Sequence, residues 1–279
     1  MKIQCYMPVL NEADILPHTL RHLHEQGCSV HVIDGWSTDG SYEIARSWQD
    51  RTAPDVPNPY VCVERFPATG PSPVQCCTDI LHRIEDLAAV SVADWILYSD
   101  ADEWRRSPHG RETLAEAITR IDFQGHNNRM DGLPEMDWNA IDFRVFQFYC
   151  TPQDAWGHSS APKISPEQHF HHYDEADCIS RIPNRKLWKN VGRVQLAGGG
   201  HEVTFPGMRV YPVKFTMKHY PFRTPQQARA KIETRIARRC AEEHAKGWGV
   251  HYDQYPPGFD FCWDPAKLKF WKATRSPLP

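Results

Sequence analysis

No stretch of the 279 residues is apolar enough to cross a bilayer, and none of the nine cysteines falls in a CxxC pair. The first absence points to a soluble protein. The second removes zinc ribbons, and the scatter of the cysteines, with Cys76 and Cys77 adjacent, suits reduced thiols in the cytosol better than a disulfide framework. A formal charge of −3 lacks the positive excess that draws a protein to nucleic acid or anionic lipid. The N-terminus, MKIQCYMPVLNEAD, has one lysine and a short apolar run that soon meets Asn11, Glu12 and Asp14, so it reads as neither signal peptide nor membrane span. No G-x-G-x-x-G follows the first expected strand and there is no Walker A loop, which argues against a dinucleotide-binding dehydrogenase and a P-loop enzyme.

What is present in the first hundred residues is alternation. Ile3 to Val9 reads as a strand; Leu16, Leu20 and Leu23 then recur at helical spacing, and Gly27 ends that helix. Val30 to Asp34 reads as a second strand, followed by the polar turn Ser37-Thr38-Asp39-Gly40 and a short helix from Tyr42 to Trp48. Tyr60 to Glu64 is a third strand, Ile80, Ile84, Leu87 and Ala88 trace a helix, and Asp94 to Ser99 forms a fourth strand. This βαβαβαβ order predicts a parallel sheet with helices on both faces. Ligands of such sheets bind beyond the carboxyl ends of the strands, where Pro8 to Glu12, Asp34 to Asp39 and Asp100 to Glu103 would converge.

The last of these clusters carries the strongest chemistry. Asp100-Ala101-Asp102-Glu103 follows the apolar run Trp95 to Tyr98, and two carboxylates two residues apart share a face of an extended backbone, where they can meet one hard cation such as Mg²⁺ or Mn²⁺. Taken alone the same residues read equally well as a solvated acidic turn. Asn11 and Asp14 likewise read as helix caps, and Asp39 as a turn residue.

Taken together, MPVLNEADILPHTLRHL, VIDGWSTDGS and YSDADEW resemble the N-terminal half of GT-A glycosyltransferases, in particular the family 2-like, non-processive bacterial type with P-x-x-NE, D-x-x-STDG and DxD segments. The resemblance covers about the first 110 residues. It implies a GT-A fold, a mostly parallel α/β sheet flanked by helices, and a nucleotide-diphosphate sugar as donor. It also implies that Pro8, Asn11 and Glu12 line the nucleotide pocket, that Asp34 accepts a hydrogen bond from the base, that Asp100 meets ribose or metal and that Asp102 binds Mn²⁺ or Mg²⁺. The Q-x-x-R-W segment of processive synthases is missing, so one sugar is expected per acceptor. Such a reaction expels a nucleoside diphosphate, and a divalent cation with lysine, arginine or histidine stabilises the charge that builds on it.

The second half is less regular: a helix from Glu112 to Ile121, a polar loop from Gly125 to Trp138 and a strand from Ile141 to Tyr149. Phe215 to Arg223 reads as a strand running into a turn and resembles the HYPFRS-type segment of some family 2-like transferases. His219 is the candidate third metal ligand, against the alternative of an ordinary core or surface histidine. Arg223 is the candidate phosphate clamp. Thr224-Pro225-Gln226-Gln227 is a helix start with a capping box. That helix is expected to run to Lys246, burying Ala228, Ile232, Ile236 and Cys240 and presenting Lys231, Arg235 and Arg238 as a basic stripe. Lys231 can reach phosphate, although such stripes are more often merely solvated. A catalytic base for an inverting displacement is expected at Glu202, after the Gly198-Gly199-Gly200 turn, or at Asp177, with Glu175 as a rival. Trp138, Trp156 and Trp188 read as packing, and His169 to His172 as an exposed loop more readily than a zinc site.

The expected organisation is residues 1–110 as the nucleotide-sugar half of one GT-A domain, 111–223 as its acceptor half and 224–279 as a C-terminal helical segment. Two rivals remain. A nucleotidyltransferase also pairs carboxylates with Mg²⁺, but it needs a glycine-rich basic loop where this chain has acidic Asn11 to Asp14. A noncatalytic glycan-binding protein would have little use for Asp100 and Asp102. An enzyme acting on nucleic acid gains nothing from the net charge.

Overall fold

In a computed structural model of the chain the described residues are 1–49, 60–72, 74, 76–110, 112–130, 137–154, 164–175 and 182–272, with side chains of 125–130 excepted. The first half alternates as expected: β1 Ile3–Val9, α1 Leu16–Glu25, β2 Cys28–Asp34, α2 Ser41–Gln49, β3 Val61–Arg65, α3 Cys77–Ala89 and β4 Trp95–Tyr98. Leu16, Leu20 and Leu23 form the buried face of α1, and Ile84 and Ala88 that of α3. The chain then continues through β5 Glu103–Arg106, α4 Leu114–Met130, β6 Ala140–Ile141, β7 Phe143–Tyr149, the short α5 Pro166–His169, β8 His172–Asp174, β9 Leu187–Lys189, β10 Gln195–Ala197, β11 Glu202–Thr204 and β12 Phe215–Phe222. The helices α6 Pro225–Arg238 and α7 Ala241–Lys246 and the strand β13 Lys269–Phe270 complete it.

The main sheet has the order β3-β2-β1-β4-β9-β6. Its first four strands are parallel, and β9 adds antiparallel to β4. Apolar residues fill both of its faces, which is why these strands read as continuous apolar runs. A second sheet, β13-β8-β7-β12-β5, takes up the chain immediately after the DADE turn. Its antiparallel β5 and β12 pair His219 with Glu103, so strand register carries a residue from far along the chain to the end of β4.

Four local expectations change. Helix α4 runs on to Met130, into the stretch expected as a polar loop. The long C-terminal helix breaks at Arg239, whose guanidinium is held by Asp253 and the Gly249 carbonyl oxygen, and a capping box between Cys240 and Glu243 restarts it as α7. Ile236, within the first of these helices, is 42% exposed rather than in the buried stripe. Cys76 and Cys240 form a disulfide with Cα atoms 5.4 Å apart, whereas six other described cysteines are free. No helix among the described residues is long and apolar enough to cross a membrane.

One buried histidine on α1 makes the fold sensitive to acid. His22 stacks on Trp104 at 4.4 Å, and its Nε2 lies 2.9 Å from the Arg105 carbonyl oxygen. Burial, reinforced by Arg106, holds its imidazole down at about 4, so the unfolded chain takes up the proton first. Its stabilising contribution is complete above the ordinary histidine range near 6.5 and is lost as pH falls towards 4, by about 3 kcal/mol. Urea titrations across that range should show His22→Phe, which keeps a stacking ring, with a flatter pH profile than the parent; an unchanged slope would refute the assignment.

Candidate active site

The β1 to α1 and β2 to α2 loops are laced together by the residues of the STDG segment. Asn11 adopts a left-handed backbone, φ 55°, which asparagine tolerates better than most residues. Its amide donates to Ser37 Oγ at 3.0 Å, and its Oδ1 accepts from the Thr38 amide at 2.8 Å. The Glu12 amide donates to Ser41 Oγ and the Ala13 amide to Asp39 Oδ2, each at 2.9 Å. Asn11 and Asp39 therefore act here as turn fasteners. Asp34 lies at the end of β2, fully enclosed, with Oδ2 accepting from the Ser37 amide at 3.1 Å and Oδ1 without a partner among the described residues. Burial raises its carboxyl above the usual range. Nearby, Arg65 stacks over Trp36 and Tyr42 at 4.7 and 4.0 Å.

From the loop after β1 a chain of ion pairs runs across the sheet end. Arg223 is completely buried and grips Asp14 through Nε and Nη2 at 2.6 and 2.7 Å and Glu12 through Nη2 at 2.5 Å. Glu12 also accepts from Lys231 Nζ at 2.9 Å, and Lys231 reaches Asp102 Oδ2 at 2.6 Å. On its other side Asp102 Oδ1 faces His219 Nε2 at 3.6 Å, and His219 Nδ1 lies 3.2 Å from Gln147 Oε1. Burial would raise the Asp102 carboxyl, but Lys231 and His219 hold it well below the usual carboxylate range. Lys231 reaches this point because Thr224 caps α6, its Oγ1 accepting from the Gln227 amide at 3.0 Å, which sets the first turns of the helix beside the DADE turn.

A second network fixes the same turn from below. Lys186, just before β9, is buried with Nζ 3.1 Å from Asp100 Oδ2 and 2.8 Å from Glu103 Oε1. Arg105 adds a bond to Glu103 Oε2 at 2.5 Å and another to Ser99 Oγ. Burial opposes ionisation of Glu103, yet Lys186 and Arg105 pull its carboxyl far below the usual range. A Cβ at Gly200, φ 92°, would overlap the Tyr98 ring, so only glycine lets that turn close over the end of β4.

Two adjoining cavities, of about 360 and 400 Å³, open beside these networks and share Leu10, Glu12, Lys231, Thr234 and Arg235. Pro8, Asp100, Asp102 and His219 line the first, and Asn11 and Asp14 the second. The structure therefore brings together Pro8, Glu12, Asp100, Asp102, His219 and Lys231. Three expectations are corrected. Arg223 cannot clamp a phosphate, because its guanidinium is spent on Glu12 and Asp14 inside the protein. Glu202 faces Arg185 at 3.6 Å and does not line either cavity. Asp100 is turned to Lys186 and the Tyr98 hydroxyl rather than joined to Asp102. Glu175, the rival base, is paired with Arg144 and Lys269. Asp177 and Trp156 lie outside the described residues, Trp188 is core, and His171 and His172 pack against Phe270.

Among the described residues no three His, Cys, Asp or Glu side chains form a metal-binding group. The donor set that remains is Asp102 with His219. Their 3.6 Å separation suits two neighbouring ligands of one Mg²⁺ or Mn²⁺, ions that commonly take their other ligands from water and substrate phosphate. Sequence reading missed Lys186 altogether. Its one signal is a lysine directly before an apolar strand, and its meaning depends on the β4 to β9 pairing, in which the Tyr98 amide donates to the Lys186 carbonyl oxygen at 2.8 Å.

The described residues form an α/β architecture with polar residues gathered at the carboxyl end of a largely parallel sheet. Residues 5–71 match the family model described as Glycosyl transferase family 2. Among solved structures the chain is similar to S. aureus TarS, at 14% identity and a TM-score of 0.41 over 91% of this chain and 42% of that one. TarS 1-349 from the same organism gives 11% identity and a TM-score of 0.40, over 91% and 69%. The glucosyl-3-phosphoglycerate synthase of Mycobacterium tuberculosis, in complex with Mn²⁺, uridine-diphosphate-glucose and phosphoglyceric acid, gives 14% and 0.28, over 53% and 44%. The chain thus spans less than half the length of the TarS chain. No curated protein matches the sequence.

Proposed function

We propose that the protein is a glycosyltransferase that moves one sugar from a nucleoside-diphosphate donor to an acceptor hydroxyl with inversion. The observation that supports this reading is the run of contacts Glu12, Lys231, Asp102, His219 on the lining of one cavity, in a chain whose residues 5–71 match a family 2 model. Mn²⁺ or Mg²⁺ held by Asp102 and His219 would neutralise charge on the departing diphosphate. Lys231 adds a fixed cation to the same place, pre-oriented by Glu12 so that nothing need reorganise as the charge develops. Pro8 and Asn11, on the linings of the two cavities, suit the nucleoside, whereas Asp34 is enclosed and lines neither cavity. With Glu202 and Glu175 engaged elsewhere, Asp177 is the base we assign to the acceptor hydroxyl.

The test is a screen of nucleotide sugars for Mn²⁺-dependent binding and donor hydrolysis, with Lys231→Met beside the parent. We expect hydrolysis of at least one donor, and about a 100-fold loss in the variant, the size typical of removing one fixed charge from a developing anion. Failure to bind any nucleoside diphosphate in the presence of metal would sink the reading.

A further inference from the structure

Beyond Lys231, helix α6 carries two further cations, Arg235 and Arg238. At about 1.5 Å per residue, Arg235 stands about 6 Å and Arg238 about 10 Å along the helix from Lys231. Both line the first cavity. Of the four lysine and arginine side chains on this lining, Lys231 is paired with Glu12 and Asp102, and Arg239 with Asp253. Arg235 and Arg238 have no carboxylate partner among the described residues. Arg238 donates from Nη2 to the Ser72 carbonyl oxygen at 3.0 Å, while its Nε has no partner among the described residues. Burial, with Arg235 beside it, presses the Arg238 guanidinium below its ordinary range, whereas burial of Arg235 is outweighed by Tyr252 and Asp100, which raise its guanidinium.

Two carboxylates on the same lining make their short contacts with other groups. Glu243, also on the lining, accepts from the Cys77 amide at 2.8 Å and the Cys240 amide at 3.1 Å. Asp100 is held by Lys186. Around the two arginines the same cavity presents Trp248, Tyr252, Tyr255 and Phe222, flat apolar faces that suit a sugar ring or a polyol chain. The Cys76 to Cys240 disulfide ties the loop before α3 to the end of α6, fixing the frame in which Arg238 is presented.

We propose that Arg235 and Arg238 form a phosphate-binding subsite for the acceptor, distinct from the place of the donor diphosphate, so that the preferred acceptor is a phosphorylated sugar or polyol. This deepens the transferase reading and rests on it for the word acceptor. Guanidinium forks match phosphate oxygens and lose less entropy per bond than ammonium groups do.

The experiment loads the protein with whichever of UDP, GDP, CDP, ADP and TDP binds tightest, then titrates inorganic phosphate by calorimetry into the parent, Arg238→Gln and Arg235→Gln/Arg238→Gln. We expect saturable phosphate binding to the loaded protein, weakened about tenfold or more in the double variant, with nucleotide affinity shifted less than about threefold. Addition of salt should weaken the parent's phosphate binding. Phosphate that displaces the nucleotide one for one, binding that is equal in parent and variants, or no binding at millimolar phosphate overturns the proposal. If none of the nucleotides binds, the transferase reading fails by itself, and the same phosphate titration of the free protein still decides whether the arginines hold an anion. Thermal melts of each variant confirm that it is folded.

Discussion

Asp102→Asn is expected to lower the turnover of the proposed transfer by about 100-fold or more while leaving a folded protein. The amide has the shape of the carboxylate, so packing survives, and Lys231 keeps Glu12 at 2.9 Å and is not stranded as a lone buried charge. The stability cost should therefore stay near that of weakening one charged hydrogen bond, about 1–3 kcal/mol. The functional cost is larger, because the metal seat proposed at Asp102 and His219 loses its single anion. Steady-state hydrolysis and transfer, beside urea unfolding of the same preparations, separate the two effects; turnover within about tenfold of the parent would contradict the role given to Asp102. The acid limb of the activity profile should not come from this group. Its carboxyl is held well below the usual range, so its stabilising charge is present above the ordinary carboxylate values and is lost only as pH falls through the lower, folded-state one.

The alternating half of the fold was legible because its signals are local. Apolar runs flanked by turns give β1 to β4, periodicity gives α1 and α3, and the parallel order places three polar loops at one sheet end. His219 was legible only by resemblance, since what delivers it is the register of β12 against β5. Arg223 shows the limit most plainly. An arginine after a strand and before a helix reads as an exposed phosphate ligand, and nothing local says that Asp14, about 200 residues earlier, will enclose it. Lys186 was invisible for the same reason, because lysine before a strand is ordinarily solvated. The basic stripe on α6 was read correctly as a stripe; only tertiary packing shows that it faces a cavity.

Arg223→Met should be the most destabilising single change in the site. The guanidinium is wholly buried and makes two bonds to Asp14, one to Glu12 and one to the Tyr220 carbonyl oxygen at 3.0 Å. Methionine fills much of the volume but removes the charge, leaving two neighbouring carboxylates to repel each other with only Lys231 on the Glu12 side. Breaking a buried pair in this way costs about 3–5 kcal/mol, a large part of a typical domain's stability. The sign of the pH dependence identifies the cause. Repulsion between two facing carboxylates is an electrostatic cost that acid relieves, whereas lost packing is indifferent to pH. The gap between parent and variant in urea unfolding should therefore be wide at pH 7 and narrower near pH 4.5, whereas a packing defect would leave a constant gap. Arg223→Lys restores the charge but not the fork, and one ammonium cannot span both carboxylates with the same geometry. It should recover only part of the stability, and since Glu12 then orients Lys231 less firmly, turnover should stay below that of the parent even where the lysine variant is fully folded.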